Sequence, residues 1–262
     1  PKANMRKALR IFSQTPTAVA AYFRVRKGKK IISPSKNLSF AENFFKMMFN
    51  KVPDKEIVRA FDISLILYAE HSFNVSTFTA RTITSSLSDL HGAITGAIAS
   101  LKGPLHGGAN TAVMQMLMEL EEQGKDADAV AFTKDKLAKK EKIMGFGHRV
   151  YKTFDPRARH LQKMAQSLSE ETGHEELYRW SMDMLNTMNS EKNIDPNVDF
   201  FSATVYFSMG IQPDLYTCIF TMSRIAGWAG HYMEQMEHNR LVRPRALYVG
   251  EKNMDYTPIE ER

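Results

Sequence analysis

The segment Lys102-Gly103-Pro104-Leu105-His106-Gly107-Gly108-Ala109-Asn110 sets a histidine between a Gly-Pro turn and a Gly-Gly pair, just before the apolar run 112–120. Glycine and proline so arranged fix a tight backbone that few other residues adopt. The imidazole of His106 is thereby expected in a turn at a helix start, where backbone N–H groups converge. A second histidine, His148, lies in Gly145-Phe146-Gly147-His148-Arg149-Val150-Tyr151, followed by Asp155-Pro156-Arg157. A carboxylate ends Asn197-Val198-Asp199 and precedes Phe200 and Phe201. Among aromatics a carboxylate is partly desolvated, which raises its basicity. Two turn-held histidines and such a carboxylate are the parts needed to take a proton from carbon and steady the resulting oxyanion. Taken singly, each has a plainer reading: a structural imidazole for His106, a helix cap for Asp199. Arg224 lies in the otherwise uncharged stretch 220–228, and a cation buried there needs an anionic partner.

The elements that must position these groups read as helix after helix. Asp54 is placed to cap a helix through Ile57, Phe61, Ile63, Leu65, Leu67 and Tyr68. Strand-like alternation is scarce, and Asn-Gly and Asp-Gly hairpin turns are absent. The stretch 88–101 is rich in small residues, with Gly92/Gly96 and Ala93/Ala97 at i,i+4 spacing. It suits close helix packing, either within the chain or against a second copy. The glycines at 107–108 and 210 are reasonable hinge positions.

Composition sets wider bounds. The chain has 262 residues, 43% hydrophobic and 24% charged, which fits a globular protein with a sizeable core. No apolar run approaches the ~20 residues that span a bilayer, and no leader is legible. One cysteine, Cys218, allows no internal disulfide and suits a reducing compartment. The net charge of +6 comes from dispersed basic residues; the cluster 134–142 carries interspersed acids and reads as a solvated helix face. Aromatic interleaving is missing, so nucleic-acid binding is not expected, whereas such a field attracts a polyanionic small molecule. His231, Glu234 and His238 share a helix face but lack a zinc-site pattern, so they read as exposed helix and no metal site is expected.

The chain resembles the citrate synthase family over nearly its whole length. The likeness is carried, in order, by Ala69-Glu70-His71-Ser72-Phe73-Asn74, the His106 turn, the His148 turn with Asp155-Pro156-Arg157, Asn197-Val198-Asp199, Ser223-Arg224-Ile225-Ala226-Gly227 and Arg243-Pro244-Arg245. Against the family, an N-terminal helical portion is missing. The resemblance implies an all-α fold: a large helical domain from residues 1–107 and 213–262, and a small helical domain, 108–212, inserted between them. It implies a homodimer located in the cytoplasm, and it favours a helix–helix dimer interface as the use of the small-residue stretch 88–101.

It further implies the condensation of an acyl-CoA with oxaloacetate. Asp199 is then the general base, His106 the donor to the thioester carbonyl, and His148 the donor to the ketone. His71, Arg157, Arg224 and Arg243 bind the keto acid, and the backbone of Ile143, Met144, Gly145, Phe146 and Gly147 helps hold coenzyme A. Coenzyme A enters as substrate, and no separate cofactor is implied. The segments around His71 and 224–231 look like bacterial 2-methylcitrate synthases, whose donor is propionyl-CoA; Arg243-Pro244-Arg245-Ala246-Leu247-Tyr248 looks closer to citrate synthases, whose donor is acetyl-CoA. Thr111 departs from the acidic residue usual at its place. Phe200, Phe201 and Tyr206 read either as walls of the acyl pocket or as ordinary core. A non-catalytic coenzyme A-binding dimer is the reading from another class, and the presence of both histidines and the aspartate weighs against it.

Overall fold

The computed structural model describes residues 2–151 and 153–262. The fold is all-α, with eleven helices and no strand among these residues. In chain order they are α1 (Lys2–Arg26), α2 (Phe40–Phe49), α3 (Lys55–Tyr68), α4 (Val75–Ser85), α5 (Leu90–Leu101), α6 (Ala109–Glu121), α7 (Ala129–Ala138), α8 (Pro156–Thr172), α9 (Glu175–Lys192), α10 (Val198–Ser208) and α11 (Tyr216–Glu237). Asp54 does precede α3 in extended backbone, although its side chain makes no capping bond. None of the helices among these residues is long and apolar enough to cross a membrane.

Two helices act as spines because they are apolar or small on nearly every side. One is α11, buried from Tyr216 through Tyr232 on the faces that meet α1, α3, α4 and α5. The other is α10, buried almost continuously from Phe200 to Tyr206 and packed by α6, α8 and α9. The spines are joined by residues 209–215, where Gly210 has φ 76°. The start of α6 is stitched to this connection: Thr111 Oγ1 donates to Pro213 O at 3.0 Å, and Thr217 Oγ1 donates to Gly107 O at 2.8 Å. Thr111, the departure from the family pattern, is therefore spent on the connection between the spines.

The small-residue face of α5 is used inside the chain. Ala93 and Ala97 are fully buried, and a Cβ on Gly96 would collide with Ile83 of α4. Gly96 serves the α4–α5 contact, and Ala93 and Ala97 are packed within the chain. The basic cluster 134–142 is solvated and paired, as expected: Lys136 meets Glu119 and Glu141, and Lys139 meets Asp135.

The contact that positions the site is α11 on the C-terminal end of α3. The last carbonyls of a helix lack intrahelical donors. Here α11 supplies them: Ser223 Oγ donates to Leu65 O, Arg224 Nε to Tyr68 O at 2.7 Å, and Gly227 N to Ala69 O at 3.0 Å. Glycine at 227 permits this approach, since a Cβ there would overlap the Ala69 carbonyl oxygen. Gly227→Ala should therefore lower stability by about 1–3 kcal/mol through overpacking, read as a lower urea midpoint; an unchanged midpoint would show that the helices part without cost.

Candidate active site

The end of α3, the loop into α4, the turn before α6, the segment before α8 and the starts of α10 and middle of α11 converge. They bring His71, His106, His148, Arg157, Asp199 and Arg224 into one electrostatically coupled cluster. Arg243 is not part of it.

His106 sits where expected, in the turn before α6, with its N–H donating to Gly103 O at 3.0 Å. Gly107 is needed for a different reason from the expected backbone conformation: its N–H meets Leu101 O at 2.9 Å, leaving no space for a Cβ. The imidazole is held by a side chain, not by the backbone. His106 Nε2 lies 2.8 Å from Ser76 Oγ, which also donates to Asn74 Oδ1 at 2.7 Å and accepts from Trp228 Nε1 at 3.1 Å. Asn74 Oδ1 is fixed as the oxygen because Thr77 N donates to it at 3.2 Å. With the single hydroxyl proton given to Asn74, Ser76 must accept from His106, which places the imidazole proton on Nε2. Burial first, and then the charge of Arg224, push the His106 pKa down to about 4. The ring is neutral at physiological pH.

His148 is held by its own turn. Its Nδ1 accepts from Val150 N at 3.0 Å and Tyr151 N at 3.1 Å. The proton is then on Nε2, which lies 3.1 Å from His71 Nε2. His148 donates and His71 accepts, and Tyr151 stacks on His71 at 5.5 Å between ring centroids. Burial, then the charges of Arg157, His148 and Arg224, lower the His71 pKa to about 4.

The two arginines differ. Arg157 forks onto Asp155, with Nε–Oδ1 at 3.1 Å and Nη2–Oδ2 at 2.8 Å. Burial alone would raise the Asp155 carboxyl, but the hydrogen bonds and charge of Arg157 outweigh it and hold it below its usual range. Arg224 is 2% exposed and forms no ion pair with a carboxylate among the described residues. Its Nε is held by Tyr68 O, its guanidinium lies 4.7 Å over the Phe220 ring, and its Nη1 is buried with no hydrogen-bond partner. Burial, then the charge of Arg157, lower its pKa to about 10. A buried guanidinium nitrogen without an acceptor is costly, and an anion placed against it removes the cost.

Asp199 stands in the first turn of α10, where Asn197, not Asp199, is the cap. Burial raises its pKa; the hydrogen bond from Tyr68 and the charges of Arg157 and Arg224 oppose that rise. Tyr68 Oη donates to Asp199 Oδ1 at 2.7 Å.

The loop 143–147 closes against the segment before α10. Gly147 N donates to Asp195 O at 2.9 Å, Asn197 N to Gly145 O at 2.8 Å, and Asn197 Nδ2 to Gly147 O at 2.9 Å. Gly145 has φ 84°, and a Cβ there would press on Val113 and Phe200 at 2.8 and 2.9 Å. Of the backbone expected to help hold coenzyme A, Gly145 O and both polar groups of Gly147 are thus already bonded within the chain, and Ile143 is buried. Phe200, Phe201 and Tyr206 are also corrected as pocket walls: they are fully buried, Phe200 against Phe146 and Tyr206 against Phe61 and Tyr216. His231 is not plain exposed helix. It meets Glu70 Oε1 at 3.0 Å and Arg81 at 2.9 Å.

Arg243 is exposed on the tail after α11. Val242 N is fixed to Ser85 Oγ at 3.0 Å, at the far end of α4. Ser76 and His106 are at its near end, about 14 Å away at 1.5 Å per residue. Tyr68 and Ser76 lie outside the sequence motifs, and Asn74 and Asp155 lie within them with no role assigned; a side chain's value as an orienter is visible only once its partner is.

Residues 1–245 match the family described as citrate synthase, C-terminal domain. The chain belongs to the citrate synthase family. It is 49% identical to citrate synthase 2 of Bacillus subtilis, over 100% of this chain and 70% of that protein. It is 43% identical to 2-methylcitrate synthase 2 of Corynebacterium glutamicum, over 96% of this chain and 66% of that one. Among solved structures it superposes on citrate synthase of Thermoplasma acidophilum in ternary complex with carboxymethyl coenzyme A and oxaloacetate (TM-score 0.90, 34% identity, 100% of this chain and 70% of that chain). Thermotoga maritima citrate synthase is similar (TM-score 0.88, 41% identity, 100% and 72%).

The two neutral histidines carry a pH prediction. Their folded pKa values near 4 lie below the ordinary 6.5, so between these values the unfolded chain binds more protons. Stability should then rise with pH through that window and be lost as pH falls from 6.5 towards 4. Thermal unfolding at pH 7 and pH 5 checks this, and His71→Asn should flatten the slope.

Proposed function

We propose that this site condenses an acyl-CoA with oxaloacetate and releases coenzyme A after hydrolysis of the new thioester. The observation that carries the reading is Arg224: a buried guanidinium with an orphaned Nη1, set beside neutral histidines and a carboxylate raised in basicity by burial. A dicarboxylic keto acid supplies the missing acceptor, with Arg157 and His71 as its further contacts.

Asp199 takes a proton from the acyl α-carbon, and His106 stabilises the enolate oxygen. To donate from Nδ1, His106 needs its Nε2 proton-free. The ring proton therefore moves from Nε2 to Nδ1 by exchange with solvent before the acyl-CoA binds, and Ser76 holds the new tautomer by turning its hydroxyl from Asn74 Oδ1 to His106 Nε2. Asn74 Oδ1 keeps the Thr77 N–H, so no buried acceptor is orphaned. The enolate carbon attacks the keto carbon, whose oxygen takes the proton of His148 Nε2. Water then cleaves the thioester. Residues 143–147, through the groups their loop leaves unused, contribute to the coenzyme A site.

The residues 108–212 form the small domain, which closes on the remainder about the Gly107–Gly108 and Gly210 connections when the keto acid bridges Arg157 and Arg224. The protein works as a homodimer. Its tail supports this reading, since Arg243 lies away from its own site and Leu247, Tyr248, Val249 and Tyr256 are exposed there. A second copy covers these side chains and receives Arg243.

For the donor, we favour propionyl-CoA with acetyl-CoA also accepted, on the local likeness around His71 and 224–231. A citrate/2-methylcitrate synthase of Bacillus subtilis is 45% identical to this chain. One methyl is worth about 1–3 kcal/mol, so the preference should not exceed roughly 200-fold. The ratio of kcat/KM for the two donors in the full-length protein measures it, and a ratio favouring acetyl-CoA makes the enzyme a citrate synthase. Asp199→Asn should lower kcat by about 100- to 10,000-fold while oxaloacetate still binds; near-normal turnover would remove Asp199 from the chemistry.

A further inference from the structure

Tyr68, the last residue of α3, has two atoms committed to two parts of the site. Its carbonyl accepts Arg224 Nε at 2.7 Å, and its hydroxyl donates to Asp199 Oδ1, also at 2.7 Å. Ser202 Oγ lies 2.9 Å from the same phenol oxygen. The ring is 1% exposed and stands edge-on to Phe220, 4.7 Å between centroids. On its other side Asp199 is fixed only through its backbone, whose N–H donates to Asn197 Oδ1 at 3.0 Å. Oδ2 of Asp199 has no hydrogen bond to a described residue.

We infer that Tyr68 is the positioning residue for the base: its phenol pins the carboxylate of Asp199 by Oδ1 and leaves Oδ2 to receive the carbon-bound proton. A carboxylate on a first helical turn turns freely about its last torsion unless one oxygen is tied. A short phenol-to-carboxylate bond ties it, being charge-assisted. The phenol stays protonated, because burial and the neighbouring Asp199 push its pKa well above the ordinary value. The bond also stabilises the charged carboxylate against the rise that burial imposes. Charged and titratable groups that face Asp199 are Tyr68 from α3, Tyr206 from α10 itself, Asp155 and Arg157 from the start of α8, and Arg224 from α11. Of these, Tyr68 alone hydrogen-bonds the carboxylate.

The inference rests on Asp199 being the base, as proposed above. The test is Tyr68→Phe in the full-length protein. The ring and the backbone carbonyl remain, so Arg224 keeps its anchor and oxaloacetate affinity should be unchanged. Loss of orientation should lower kcat by roughly 10- to 100-fold. The acid limb of the kcat–pH profile should move to higher pH, since the carboxylate loses the donor that favours its charged form. Ser202→Ala, which removes the hydroxyl behind the phenol, should move the limb the same way but less, and serves if Tyr68→Phe does not fold. An unmoved limb overturns the inference, as does a fall in kcat matched by an equal loss of oxaloacetate affinity. Asp199→Asn separates the failures: turnover by that variant defeats the assignment of the base, whereas an inactive Asp199→Asn with an unmoved limb in Tyr68→Phe defeats the role of Tyr68 alone.

Discussion

A charged guanidinium in the middle of a buried helix is the constraint around which the rest is arranged. Arg224 is buried on α11, and the desolvation it suffers is met by two means, a helix-terminal carbonyl and an aromatic face, which leave its Nη1 without an acceptor. The first requires α3 to end against α11, and hence requires Gly227. The second fixes Phe220, which in turn abuts Tyr68 and His106. The helix crossing, the aromatic packing and the electrostatics of the histidines therefore share one origin.

The second arrangement is the keeping of histidines neutral. Arg157 and Arg224 both oppose protonation of His71, and Arg224 opposes that of His106. Neutral imidazoles suit hydrogen-bond donation to a developing oxyanion, because they stabilise charge without first carrying it. Their tautomers are assigned by different means: a backbone turn for His148, and the proton inventory of Ser76 for His106.

Much of this was legible in the residues. The succession of helices was legible there and the all-α class in the family resemblance, and the motifs located His106, His148, Arg157, Asp199 and Arg224, which the fold brings together. What was not legible is relational. The glycine turn at 107 was expected for its backbone conformation, whereas the structure needs it for closeness to Leu101. The small residues of α5 left two readings open, and Gly96 against Ile83 spends that face within the chain. Phe200 and Phe201 looked like walls beside the base, but on a helix buried on nearly all sides adjacent residues point away from a neighbour's partner. Arg243 carries the right chemistry on a segment anchored at the wrong end of α4, which a linear motif does not reveal.

The fork between Arg157 and Asp155 has a consequence for how the first substrate acts. With Asp155 paired to Arg157 and with His71 and His106 neutral, Arg224 and the Arg157–Asp155 pair are the charges that act on Asp199. A dianion bound by Arg224 and Arg157 adds negative charge beside the buried carboxylate of Asp199. On the proposed reading, the arriving keto acid leaves the cavity negative and so disfavours the carboxylate form of Asp199, strengthening it as a base at the moment its proton donor is due. The substrate is then also the site's electrostatic trigger: occupancy by one reactant raises the basicity that acts on the other, alongside the closure it drives.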